Sequence, residues 1–348
     1  MPRSDTKGKT EMKFDKISLG CGSGGELYHQ LIETVFLPSF RNPYLEKLAD
    51  SAVCPVASSN IAITTDSFVV SPRFFPGGDI GRLAICGTVN DLAMSGATPL
   101  YITVGMIIEA GFDIDELKCI CASMNKAAEE AGVLIVTGDT KVVDKGCCDG
   151  IFINTSGVGE FDDKTRLCDD PVAPGDKILV SGNIADHGMA IMSARHNLGF
   201  DPAIESDSAP LNSLTAELLS RCNGIKLMRD PTRGGVSSTL NEWASATGLP
   251  INVNESSIPM AGNTRAACEL LGIDPLYCAN EGKMLAIVAA DEAEKALSVM
   301  RKNPLGANAA IIGEIGCAAD ENGAFVITEI GSKRVLGMID GEQLPRIC

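Results

Sequence analysis

Cys348, the last residue of the sequence, follows Pro345, Arg346 and Ile347 on a segment broken by Gly331, Gly337 and Gly341. A thiol on such a segment can be carried into a distant pocket, as a nucleophile or as the carrier of a small group. A prenylation signal is excluded, because that motif places its cysteine four residues from the end. A residue without a role remains the alternative at this point. Five aspartates offer a second kind of chemistry. Asp50, Asp66, Asp91, Asp139 and Asp230 each fall where an apolar or glycine-rich segment is expected to give way to a loop. Carboxylate oxygens suit hard divalent cations, and magnesium commonly divides itself between a few carboxylates and nucleotide phosphates. Neighbouring glycines let backbone N–H groups approach phosphate oxygens. The run Arg229-Asp230-Pro231-Thr232-Arg233-Gly234-Gly235 adds a hydroxyl and two glycines ahead of an expected helix, whose N-terminus favours anions. Singly, each aspartate is as readily a helix or turn cap; as a set of five they point to a metal–phosphate site. Neither G-x-x-x-x-G-K-S/T nor a well-placed G-x-G-x-x-G occurs, so a nucleotide needs another phosphate cradle.

Composition narrows the classes of function. The 13 cysteines include no C-x-x-C pair and read as reduced thiols rather than a zinc site or a disulfide framework. Only His29, His187 and His196 are present, which leaves little for a histidine-based triad or a structural zinc. A formal charge of −16 argues against a nucleic-acid partner, which wants a basic face. No run approaches the ~18 apolar residues of a membrane span. Met1–Asp15 is polar and of mixed charge, without the apolar stretch of an export signal, so a cytoplasmic protein is expected.

The elements that must position these residues follow from periodicity. Ile61–Asp66 and Val133–Asp139 read as apolar strands ending in acidic turns. Asp79–Met94 and Asp113–Ala131 read as helices, the second capped by Asp113 or Asp115. A glycine-rich loop, Gly20-Cys21-Gly22-Ser23-Gly24-Gly25, precedes a helical pattern through Leu27, Leu31, Ile32 and Val35. A second unit opens at the turn-rich Pro171–Asp176, with strands Lys177–Ser181 and Lys283–Ala290 and helices Leu211–Cys222 and Gly235–Thr247. From Ile311 short strands and glycine turns are expected. At 348 residues the chain is about two domains long. The expected division is a disordered extension (1–16), an N-terminal domain (17–170), a C-terminal domain (171–330) and a mobile tail (331–348).

Several of these segments carry a resemblance. Thr65-Asp66-Ser67, Phe75-Pro76-Gly77-Gly78-Asp79-Ile80-Gly81 and Val89-Asn90-Asp91-Leu92-Ala93-Met94-Ser95-Gly96-Ala97 resemble the ATP-binding superfamily of aminoimidazole ribotide synthetase and selenophosphate synthetase. Thr137-Gly138-Asp139-Thr140-Lys141-Val142-Val143, Asp230–Gly235 and Asn280-Glu281-Gly282-Lys283 narrow it. With Pro345-Arg346-Ile347-Cys348, the chain is similar to the carbamoyl dehydratases of nickel–iron hydrogenase maturation, from about Ile17 onward. Cys21 stands where that family's loop reads H-G-S-G-G, so Gly22–Gly25 retain only the backbone part of the motif.

The resemblance implies an α+β, two-domain PurM-like fold. Its N-terminal α/β domain closes a barrel with a second copy, its C-terminal α+β domain packs beside it, and its flexible tail lies inward or outward. At ~3.3 Å per residue, 331–348 reaches at most ~60 Å, enough for both places. ATP and Mg2+ are implied in the cleft between domains. Asp50, Asp66, Asp91 and Asp230 would hold the metal, with Ser67, Asn90, Asp139 and Thr140 beside the nucleotide. A carbamoyltransferase would load Cys348. ATP would phosphorylate the amide oxygen so that phosphate leaves and a thiocyanate forms, with Glu281 as general base and Lys141 stabilising negative charge. An iron-carrying scaffold would then take the cyanide. Two alternatives stand beside this: a selenophosphate synthetase-like phosphotransferase, which needs no terminal carrier sulfur, and a nucleotide-regulated binding protein whose tail docks on a partner.

Overall fold

The computed structural model describes residues 15–22, 26–47, 52, 54–58, 60–162, 167–318, 321–338, 344 and 346–348. Strands Ile61–Phe68, Thr98–Glu109, Leu134–Val143 and Ile151–Glu160 form one sheet in the order first, fourth, second, third. Thr98–Glu109 runs parallel to Leu134–Val143, and the crossover that a parallel pair requires is the helix Ile114–Ala131. The other pairings are antiparallel.

Helices Ile80–Met94 and Ile114–Ala131 cover the inner face of this sheet. Both begin where the chain offers a carboxylate cap. Asp79 accepts from the N–H groups of Gly81 and Arg82 at 2.7 and 3.0 Å, and Asp113 from those of Asp115 and Glu116 at 2.8 and 3.1 Å. Thirteen of the residues of Ile80–Met94 are buried, because this helix lies between its own sheet and the second unit. The outer sheet face is left open, with Ile63 70% exposed and Ile61 and Ile107 also exposed.

A seven-stranded sheet builds the second unit, in the order Lys333–Leu336, Ala324–Ile327, Ile251–Asn254, Ala310–Ile315, Lys177–Val180, Leu285–Val288, Ile225–Arg229. Its central strands read as unbroken apolar runs because both of their faces are covered. Ile178 and Val180 join Leu240 and Trp243 in one core cluster, whereas Leu179 joins Leu214, Leu218 and Met300 in another. Ala93 and Met94 belong to that second cluster, so the two units share a core.

Three differences from the sequence reading concern boundaries. Asp66 and Asp139 lie inside strands and Asp91 inside a helix; of the four described aspartates only Asp230 follows directly on a strand end. Asp50 lies outside the described residues. The C-terminal sheet also continues past residue 331, because Lys333–Leu336 pairs antiparallel with Ala324–Ile327. Asp15 and Lys16, at the end of the expected extension, are described: Lys16 bridges Asp113, and the Ile114 N–H donates to the Asp15 carbonyl at 3.0 Å. Among the described residues no helix is long and apolar enough to cross a membrane.

Candidate active site

The end of the chain folds back into the molecule. The Val69 N–H donates to a terminal carboxylate oxygen of Cys348 at 3.0 Å and the Ser71 N–H to the Arg346 carbonyl at 3.2 Å. Residues 346–348 thus lie along the segment just after strand Ile61–Phe68. Ile347, 4% exposed, enters the core beside Ile191 and Ala279. The Cys348 side chain then lines a small polar pocket with Asp66, Asp91, Asp230, Thr232, Arg233 and Glu281.

Each wall of that pocket has a local cause. Alternation along Ile61–Phe68 turns Thr64 and Asp66 toward the helix Ile80–Met94, where the Thr64 hydroxyl donates to Asp91 Oδ2 at 2.6 Å. Asp230 is the first residue after strand Ile225–Arg229, in a turn that leads into the helix Gly235–Thr247. Gly235, at φ 59°, closes this turn against the next loop; a Cβ there would lie 2.5 Å from the Cys278 carbonyl oxygen. That loop carries Glu281, whose N–H donates to Asp207 Oδ1 at 3.0 Å. Gly282 presses onto the Asp207 carbonyl so closely that no Cβ would fit. Asn90 braces the arrangement from the helix: its amide donates to the carbonyls of Ala209 and Glu281 at 3.1 and 3.2 Å and accepts from the Leu211 N–H at 2.8 Å.

Four carboxylates face one guanidinium here, and three of them are shifted upward. Burial first, then the neighbouring Asp91, pushes Asp66 up to about 6. Burial and then Asp91 push Asp230 up to about 7. Glu281 is held well above the ordinary carboxylate range by burial, then by Asp230, and its Oε1 has no hydrogen-bond partner. Arg233 opposes the shifts of Asp66 and Glu281. Burial, then Glu281, pushes the Cys348 thiol up to about 12, so it is held protonated. Hard oxygen donors, a buried unpartnered carboxylate oxygen and excess negative charge suit a divalent cation. Among the described residues no three His, Cys, Asp or Glu side chains are gathered into a ready-made metal site, so such a cation would also need oxygens from a ligand.

Of the remaining expected residues, Ser67 also lines this pocket, whereas Asp139, Thr140 and Lys141 lie elsewhere. Asp66, Thr155, Val104 and Gly138 form one row across the sheet, and Ser67, Asn154, Gly105 and Asp139 form the next. Three strand spacings of ~4.8 Å put Asp139 and Lys141 about 14 Å from the Asp66 strand. Both are exposed and ion-paired to each other at 2.9 Å, and the Asn154 amide donates to the Ser67 hydroxyl at 3.0 Å. Asp139 and the buried Thr140 line a separate cleft of about 460 Å³ with Tyr28, His29, Ile32 and Tyr44. Thr232 brings to the pocket the hydroxyl expected of the Asp230–Gly235 run, and Arg233, in the same run but not expected at the site, joins it as the cation among the acids.

Comparison with known proteins agrees with this architecture. Residues 48–161 match the family described as AIR synthase related protein, N-terminal domain, and residues 173–323 its C-terminal domain. The carbamoyl dehydratase HypE of Rhizobium leguminosarum bv. viciae is 48% identical over 345 residues, 98% of each chain. A crystal structure of the hydrogenase maturation protein HypE in complex with ATP is 47% identical, with a TM-score of 0.91 over 95% of this chain and 99% of that one. The structure of a HypE–HypF complex is matched at 48% identity and a TM-score of 0.77, over 89% of this chain and 99% of that one. The chain belongs to the HypE carbamoyl dehydratases of hydrogenase maturation, within the AIR synthase related proteins.

Proposed function

We propose that the enzyme dehydrates a carboxamide carried on the Cys348 sulfur to a thiocyanate, at the expense of ATP, and so supplies the cyanide ligands of the hydrogenase iron. The observation that carries this reading is the seating of the Cys348 side chain in a pocket of Asp66, Asp91, Asp230 and Glu281. ATP is proposed because the relative solved with it is nearly superimposable on this chain. Asp66, Asp91 and Asp230 would hold Mg2+, with Asp50 as a further candidate; the ion would neutralise phosphate charge. In the overall change R–S–C(=O)NH2 and ATP become R–S–C≡N, ADP and phosphate, the amide oxygen leaving on phosphorus. Both nitrogen-bound protons must depart, and Glu281, which lines the pocket with the sulfur and has an oxygen without a hydrogen-bond partner, would receive one in its ionised form, where its raised pKa makes it the stronger base.

Lys141 and Asp139 reach the same reaction only across the sheet or from a second copy of the chain. We favour the second copy, because the open outer face with Ile61, Ile63 and Ile107 is apolar surface suited to closing a barrel between subunits. Ser67, Asp139 and Thr140 would then flank the nucleotide, and Asn90 would hold the backbone around it. We read 17–170 as the nucleotide-binding and dimerising part, with Asp15 and Lys16 lying against it at the end of an extension, 171–330 together with the strand Lys333–Leu336 as the second domain, and the residues beyond that strand as the carrier tail. A carbamoyltransferase is the partner that loads Cys348, consistent with the HypE–HypF complex of the 48% identical relative, and an iron-carrying scaffold receives the product. A cytoplasmic setting keeps the carrier thiol reduced. The phosphotransferase and binding-protein alternatives are not favoured, since neither calls for a sulfur seated among these carboxylates.

The test is mass spectrometry of the C-terminal peptide after incubation with carbamoyl donor, transferase and ATP. Loss of one water from carbamoylated Cys348 supports dehydration. An unmodified tail alongside normal ATP hydrolysis sinks it.

A further inference from the structure

Inside the C-terminal domain one histidine reaches out to the tail. His187 is fully buried near the start of helix Asp186–His196, with its ring edge-on to Phe75 at 5.6 Å. Its Nε2 lies 2.8 Å from the Ile347 carbonyl oxygen and its Nδ1 2.8 Å from the Ser206 hydroxyl. A carbonyl only accepts, so Nε2 carries the proton and Nδ1 accepts from Ser206. That assignment is closed by a third group, since the Ser208 N–H donates to Ser206 Oγ at 3.2 Å and leaves the hydroxyl hydrogen for the ring. Burial holds the imidazole below its ordinary pKa, so this neutral tautomer is the stable one. About two turns further along the same helix, Arg195 donates from Nη2 to the Arg346 carbonyl and from Nε to the Ser71 carbonyl.

The two side chains therefore hold consecutive carbonyls of the tail from the C-terminal domain, while the Val69 N–H holds the Cys348 carboxylate from the N-terminal one. We propose that His187, with Arg195, is a positioning residue that latches residues 346–348 inward and so sets how long the Cys348 sulfur stays beside Glu281. Neither side chain lines the carboxylate pocket, so the latch acts through the tail rather than on the reacting atoms. The role rests on the dehydratase reading only for its consequence; the latch itself is a statement about where the tail sits.

The test uses the full-length protein and two readouts. One is alkylation of Cys348 by iodoacetamide without nucleotide, followed on the C-terminal peptide; the other is carbamoyl loading and dehydration in the reconstituted system. His187→Phe keeps a ring and removes the donor. Losing one buried hydrogen bond should speed Cys348 alkylation about tenfold and slow dehydration about tenfold, leaving loading unslowed and the KM for ATP unchanged. His187→Gln, which restores a neutral donor, should recover part of both. Arg195→Met should move both in the same direction as His187→Phe. Wild-type alkylation in a folded His187→Phe protein overturns the latch. Should that variant not fold, wild-type alkylation in Arg195→Met overturns it instead. Faster alkylation together with a wild-type enzyme that never dehydrates its tail leaves the latch standing and removes the functional reading.

Discussion

Replacing Asp230 by Asn should stabilise the protein without nucleotide and weaken it as an ATP-binding protein, and the first effect should grow with pH. Asp230 is half-buried, and desolvation together with Asp91 and Asp66 raises it from an ordinary 3.8 to about 7. A carboxyl with a raised folded-state pKa favours folding least when it is ionised. The folded state is unpenalised below about pH 4, loses stability as pH rises toward 7, and is penalised in full above that. About three pH units at about 1.4 kcal/mol each give a penalty of about 4 kcal/mol at pH 8, against about 1.5–2 kcal/mol at pH 5. Asparagine keeps the shape and never ionises. Urea unfolding of Asp230→Asn against wild type should therefore show a gain about 2.5 kcal/mol larger at pH 8 than at pH 5, with magnesium and ATP absent. Adding both should reverse the ranking, since the wild-type carboxylate then has a cation to meet. A gain that does not change with pH, or a loss at pH 8, would refute the picture of four mutually repelling carboxylates awaiting a cation.

Other expectations follow from the same geometry. Asp66→Asn and Asp91→Asn should each weaken ATP binding in calorimetry, and unchanged affinity in both would remove the metal assignment. Ile63→Lys places a charge in the middle of the open sheet face and should shift the protein toward monomer in light scattering at micromolar concentration. A wild-type protein that is already monomeric there contradicts the barrel. Cys348→Ala should fold and bind ATP as wild type does, because few buried contacts are lost at a chain end, yet form no thiocyanate. Cyanide-ligated iron from that variant would mean that another thiol is the carrier, with Cys21 as the first suspect.

What the sequence revealed of the fold depended on whether local chemistry and burial agreed. Asp79 and Asp113 mark true helix starts because a carboxylate cap is a local device. Lys177–Val180 and Leu285–Val288 are legible as strands because burial on both faces leaves an unbroken apolar run. Strand Ile61–Phe68 misleads for the opposite reason. Its inward positions carry Thr64 and Asp66 for the pocket, and its outward ones carry Ile61 and Ile63. Polarity is inverted relative to an ordinary half-buried strand, so Asp66 looks like the end of the element when it is a wall of the site. Asp91 hides in a helix buried almost all round, where periodicity has no contrast to offer. His187 and Arg195 meet the tail some 150 residues away along the chain, a contact no local pattern could announce.

Burial of the Cys348 sulfur also imposes an order on the chemistry. Accepting a carbamoyl group calls for a thiolate, and a cysteine outside the protein has a pKa near 8.5. Inward, beside Glu281 and shielded from water, the thiol is pushed up to about 12. At neutral pH the thiolate fraction is therefore about three orders of magnitude smaller inside the pocket than outside it. An unloaded tail at rest in the pocket is close to inert, and loading has to happen with the tail released. Once the sulfur carries a neutral carboxamide, the penalty on a buried thiolate no longer applies, and the carboxylates that suppressed the thiol become the groups that can take up its amide protons. Burial of the sulfur, with Glu281 and Asp66 beside it, thus separates loading from dehydration. It does so only while residues 346–348 can both enter and leave, which is why the contacts that hold their three main-chain oxygens matter as much as the pocket they lead to.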